Sequence, residues 1–211
     1  SILTKQFADT KEITVLMDEC RRMGLSVLGP DVNSGGVNAT VTGDREIRFG
    51  LAAIKGLGPG AAEEIVKNAP YKDIFDFVER ASRTNMNRKT LESLIYAGAF
   101  DSSFPQIRRD QYFAANSKGE IFLDSLLKYA QDVSSMDNSV GSLLGEADEG
   151  FQLKKPDIPA VRGEMDMIAY LKRERELVGM YISSHPLSSY KFELENFCTI
   201  TPGELDTLLN R

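Results

Sequence analysis

The sequence predicts a mainly α protein with a small N-terminal β-hairpin, a compact set of short helices joined by glycine turns, and a helical tail. Three observations predict it. Apolar residues recur at helical spacing from Lys11 to Met23 and again in short runs between 51 and 97; a period-two stretch flanks the turn Gly43-Asp44; and Gly or Asn punctuates the helical runs every ten to fifteen residues.

Taken in order, Ile13, Val15, Leu16, Met17, Cys20 and Met23 lie on a helix that Gly24 stops. After Gly29-Pro30, residues Val37–Thr42 and Ile47–Phe49 alternate about their turn as a β-hairpin. Helices are expected at 51–55, 60–68, 73–81 and 87–97, followed by amphipathic segments at Ile107–Asn116 and Glu120–Tyr129. From Asp132 to Arg162 the chain is rich in Ser, Gly, Asp and Pro with few apolar anchors, the composition of a flexible linker. A helix from Gly163 to Leu177 and two short helical pieces ending near Leu209 form a tail expected to pack on a neighbouring part of a larger protein. Ser1 in place of an initiating methionine and an ending at Arg211 inside no evident element read as a fragment.

No stretch reaches the ~20 apolar residues of a membrane-spanning helix, and no signal-peptide pattern opens the chain, so a cytoplasmic protein without a membrane partner is expected. Cys20 and Cys198 are too few and too far apart for a disulfide framework or a metal site. The net charge of −6 argues, taken alone, against nucleic acid, but the acidity is unevenly placed. From Arg45 to Asp110 there are 11 Lys/Arg against 9 Asp/Glu, leaving 14 against 22 elsewhere.

The most informative stretch is Leu51-Ala52-Ala53-Ile54-Lys55-Gly56-Leu57-Gly58-Pro59-Gly60-Ala61-Ala62-Glu63-Glu64-Ile65-Val66, a helix, a glycine hairpin and a second helix. Gly56 and Gly58 allow positive φ and close approach of a phosphate, while Leu57 turns inward to pin the hairpin. Pro59 starts the second helix at no cost in hydrogen bonding, which leaves the N–H groups of Gly58, Gly60 and Ala61 facing outward at the positive end of a helix dipole. Such a site suits a phosphate without reading any base, and Lys55 adds a point charge. The bland reading of a single hairpin of this kind is that its glycines only permit close packing.

A second unit, Asn87-Arg88-Lys89-Thr90-Leu91-Glu92-Ser93-Leu94-Ile95-Tyr96-Ala97-Gly98-Ala99-Phe100, repeats the helix-then-hairpin layout, with Ala97 where the first has Gly56. Two such helix-hairpin-helix units could straddle a minor groove. Arg88, Lys89 and Gly98 are then candidate DNA contacts; the other reading makes this hairpin structural, its Asn87, Arg88 and Lys89 capping and solvating the helix. Arg21-Arg22 and Arg108-Arg109 read as solvated basic pairs.

Asp18–Gly24, Gly29–Asn33, Ile47–Gly58, Leu94–Asp101 and Glu174–Leu187 together resemble the α subunit of bacterial DNA polymerase III, of the C-family of polymerases, and the resemblance spans nearly the whole chain. It implies the end of a fingers domain at 1–49, a tandem helix-hairpin-helix DNA-binding domain at 50–131, the linker at 132–162, and at 163–211 a tail leading to an OB-fold. It implies non-sequence-specific binding of the primer-template duplex behind the active site, with other replisome subunits as partners. The family's catalytic aspartates and their divalent metal, Mg, belong to a palm domain N-terminal to these residues, so no catalytic or cofactor residue carries over and the chain alone should be inactive. A sliding-clamp-binding peptide is also implied in the linker: Leu143 and Leu144 fit its apolar pair, although Val140 stands where the family has glutamine.

Two other classes are weighed. Some base-excision glycosylases place a catalytic Asp after such a hairpin, but Asp73 and Asp76 read more plainly as a helix start. Ser183-Ser184-His185 has no orienting carboxylate placed by the sequence, and the lone histidine reads as structural. The alternative to DNA binding is a helical protein-interaction module of the replisome.

Overall fold

The computed structural model describes residues 19–20, 22–81, 87–140, 153–161, 163–190 and 196, with the side chains of 137–140 and 189 left aside. Most of the expected helix at 11–23 lies outside these residues. Its end is described: Gly24 takes φ +74°, and the Leu25 N–H reaches back to the Cys20 carbonyl at 2.8 Å, a glycine-terminated helix end.

The fold is mainly helical, with a small three-stranded sheet near the N-terminus. The strands β1 (Ser26–Leu28), β2 (Thr40–Gly43) and β3 (Glu46–Arg48) lie in the order β1-β3-β2. The β2–β3 hairpin matches the expected pair. The parallel partner β1 was not expected, because a three-residue run carries too little alternation to be told from the turn after a helix.

Five α-helices follow among the described residues: α1 (Pro59–Asn68), α2 (Ile74–Ala81), α3 (Arg88–Tyr96), α4 (Phe122–Val140) and α5 (Met167–Val178). Short 3-10 turns occupy Leu51–Ala53, Arg109–Phe113 and Pro186–Tyr190, and the first two replace helices expected at 51–55 and 107–116. Helix α4 continues to Val140, eleven residues past the expected end at Tyr129, so the stretch expected to begin a linker at Asp132 starts as helix. Residues 153–161 run without regular structure over the body, and the Gln111 Nε2 donates to the Pro159 carbonyl at 2.5 Å.

One apolar core joins these parts. Helix α2 turns Ile74, Phe75, Phe77, Val78 and Ala81 inward at helical spacing, and edge-to-face or tilted ring contacts run from Phe77 through Phe100 and Tyr112 to Phe122. Each such buried ring stabilises by about 1.5–3 kcal/mol relative to exposure. Val32 and Phe49 from the sheet region and Val178 and Met180 from the tail enter the same core. The described part of the tail therefore packs on this body through Val178 and Met180, while most of its expected last two helical pieces lies outside the described residues.

The segment Gly29-Pro30-Asp31-Val32-Asn33 stitches sheet to helices. The buried Asp31 carboxylate accepts from the Asn33 and Ser34 N–H groups at 3.0 and 2.7 Å and from the Ser103 hydroxyl at 2.9 Å. The Asn33 amide exchanges two hydrogen bonds with the Tyr71 backbone, at 2.7 and 2.9 Å, and the Val32 N–H donates to the Ala99 carbonyl. Nothing in the composition of these five residues distinguishes them from an ordinary turn.

Candidate nucleic-acid interface

The first hairpin is built from the 3-10 turn Leu51–Ala53, the loop Ile54–Gly58 and α1. Leu57 is 4% exposed and its N–H closes a turn on the Ile54 carbonyl at 3.0 Å, so it pins the loop to the core as expected. Gly56 takes φ +94°, and a Cβ there would stand 2.9 Å from the Ser93 hydroxyl on α3; its glycine serves the loop's shape and the packing of the two units.

Gly58 and Gly60 differ from Gly56. Gly58 sits at φ −68°, an ordinary extended conformation, and a Cβ added at either residue would meet nothing within 4 Å. Both are exposed, as is the Lys55 side chain. Ala62 is the first residue of α1 to donate to a turn carbonyl, that of Gly58 at 3.1 Å; the N–H groups of Gly58, Gly60 and Ala61 bond no acceptor among the described residues. The side chains of Asp73, Asn87 and Asp166 cap α2, α3 and α5. Helix α1 has no capping side chain and no acidic residue in its first turn. Its positive end is left uncompensated and open.

The second hairpin is arranged otherwise. The N–H groups of Ala97, Gly98 and Ala99 donate to the carbonyls of Ser93, Ile95 and Leu94 at 2.9–3.0 Å. Gly98 takes φ +76°, and the space a Cβ would fill is taken by the Arg109 guanidinium. Gly98 thus presents no open donor, contrary to the role expected for it. Arg88 is engaged by Glu92 at 2.8 Å and by Asp124. Lys89 is exposed on the first turn of α3 beside the Asn87 cap.

Arg109 was expected to be solvated, and its side chain is 8% exposed. It bonds Asp101 through Nε and Nη2, Glu174 Oε2 at 2.9 Å, the Ser183 hydroxyl at 2.6 Å and the Tyr96 carbonyl at 3.3 Å. Burial pulls its pKa down, but Asp101 and Glu174 outweigh burial and the net shift is upward. Glu174 is fully buried on α5 and also accepts from the Ile182 and Ser183 N–H groups at 2.6 and 2.8 Å. No local signal marks this cluster, because its members are 65 and 74 positions apart from Arg109.

The two enzyme-like groupings dissolve. The Asp73 carboxylate caps α2 through the Asp76 N–H at 2.8 Å, and Asp76 holds Arg80. Ser183 is bound to Glu174 and Arg109, while His185 Nδ1 accepts from the Leu187 N–H at 3.2 Å and its ring packs on Tyr181. Among the described residues no three His, Cys, Asp or Glu side chains gather as a metal site, and no helix is long and apolar enough to cross a membrane. Leu143 and Leu144 lie outside the described residues.

Comparison with known proteins gives a motif match and a set of relatives for this chain. The family described as helix-hairpin-helix motif matches residues 24–112, which include both hairpins. DNA polymerase III subunit alpha of Pasteurella multocida (strain Pm70) is 36% identical over 202 residues, covering 93% of this chain, and that of Escherichia coli (strain K12) is 32% identical over the same share. The subunit of Xylella fastidiosa (strain Temecula1) is 29% identical over 98% of the chain. The chain spans about 17% of the length of these relatives.

Proposed function

We propose that this chain, related over nearly its whole length to one segment of the bacterial DNA polymerase III alpha subunits, holds the backbone of duplex DNA during replication, without reading sequence, through its first hairpin. The carrying observation is the open start of α1: three backbone N–H groups without acceptors, two glycines with empty space before them, and no side chain capping the helix. Lys55 supplies the adjacent charge. In a polymerase the role of this grip is to position product duplex behind a catalytic site carried by other parts of the protein. The second hairpin supports the first, with Lys89 exposed on its helix and the neighbouring Arg88 held by Glu92 and Asp124. The boundaries at 49/50, 131/132 and 162/163, a clamp contact at Leu143 and Leu144 and a cytoplasmic setting belong to the same reading.

Fluorescence anisotropy of a labelled primer-template duplex tests it, with the parent chain and a Lys55→Glu, Gly58→Glu double variant across several salt concentrations. The parent should bind with a steep salt slope that the variant loses. Equal behaviour would make the hairpin a packing element and leave the chain as a protein-interaction module.

A further inference from the structure

The strap formed by α5 and Gly179–Ser183 touches both hairpins. At one end Glu174 receives the Arg109 guanidinium that fills the space against Gly98, so the strap is anchored beneath the second hairpin. At the other end the Leu177 carbonyl, in the last turn of α5, accepts the Lys55 N–H at 2.9 Å. The last carbonyls of a helix have no partner within it, so the first hairpin satisfies the end of α5 and is held by it in return. Ile182 continues the contact to Gly29, where a Cβ would lie 3.6 Å from its side chain.

We infer that Glu174 is a positioning residue for DNA binding: through α5 it fixes the backbone of Lys55, and with it the direction in which the lysine side chain faces beside the open start of α1. This rests on the reading of the first hairpin as the phosphate grip. A carboxylate with no exposed surface and four hydrogen bonds, to Arg109, the Ser183 hydroxyl and the Ile182 and Ser183 N–H groups, sets the rotation and register of α5. Leu177 lies three residues on, nearly one helical turn from Glu174. Loss of the anchor frees the carbonyl that holds Lys55.

The test is a double-mutant cycle of Glu174→Gln and Lys55→Ala, read by duplex-DNA anisotropy against salt, with amide hydrogen exchange at Lys55 measured without DNA. Leu126→Ala, a core change on α4 remote from both residues in sequence, controls for lost stability. Glu174→Gln should weaken binding about fivefold, lower the salt slope toward the roughly one-unit loss of Lys55→Ala, and add less than about twofold once Lys55 is gone. The Lys55 amide should exchange faster in Glu174→Gln but not in Leu126→Ala. An unchanged Lys55 amide, or a Glu174 effect that persists in full without Lys55, overturns the inference. A parent chain that does not bind duplex, or a Lys55→Ala chain that binds like it, sinks the hairpin reading and this inference with it.

Discussion

The two hairpins were built from similar text and put to opposite uses. At Gly58–Ala61 the turn leaves its donors without acceptors among the described residues, with nothing standing before Gly58 and Gly60. At Ala97–Ala99 the same kind of turn closes its three donors on α3 and receives an arginine against its glycine. A glycine in a hairpin therefore says only that something comes close to the backbone. Whether that is a ligand or the protein's own side chain depends on what the rest of the chain places there.

The largest effect should come from removing the arginine. Arg109→Ala leaves the Glu174 carboxylate buried without its cation, and urea unfolding should show a loss of about 3–5 kcal/mol. Gly98→Ala meets both a left-handed φ and the Arg109 head group, and should cost about 2–4 kcal/mol. Gly58→Ala, at an ordinary φ facing open space, should stay within about 0.5 kcal/mol of the parent. Equal costs at the two glycines would erase the contrast between a closed and an open hairpin.

Alkaline titration sharpens the comparison next, because each hairpin has a phenol packed against it, Tyr71 buried and Tyr170 half-buried. Tyr71 donates to the Ile65 carbonyl of α1, and Tyr170 packs on Tyr96 of α3; burial pushes both up to about 12. A phenol whose folded pKa lies above its ordinary value of 10.0 contributes stability that is fully present below pH 10. That stability is lost as pH rises toward 12. Phenolate absorbance should therefore rise late, together with unfolding, and Tyr71→Phe should remove part of the alkaline loss; early titration of Tyr71 would contradict its burial.

The smallest effects are on the surface cations. Lys55→Ala should lower the salt slope of duplex binding by about one unit. Arg88→Ala, whose guanidinium is already held by Glu92 and Asp124, should leave the slope unchanged and alter stability by at most about 0.5 kcal/mol. An equal loss of slope at Arg88 would return the second hairpin to the DNA.

Local pattern was enough to read the helices at 60–68, 73–81 and 87–97, the β2–β3 pair and the inward Leu57, since each depends on residues within a turn or two of one another. The Gly56-Leu57-Gly58-Pro59 order likewise announced a hairpin with an open helix start, because glycine, proline and the missing capping side chain act through the backbone they occupy. The long motifs at Gly29–Asn33 and Glu174–Leu187 were visible as text but had no physical reading. Their partners, Ser103, Tyr71 and Arg109, lie 38 to 74 residues away, and only packing brings them together.

The sequence by itself determined that this protein is mainly helical, has two glycine hairpins and carries its acidity outside them. The tertiary structure decided which hairpin stays open, that the helix α5 and the turn after it join the same core, and that a basic pair read as solvated holds a buried arginine. The physical reason is range. Propensity, capping and turn chemistry act over a few residues, whereas burial of Arg109 against Glu174 needs a core already assembled from α3, α5 and the turn between α3 and α4.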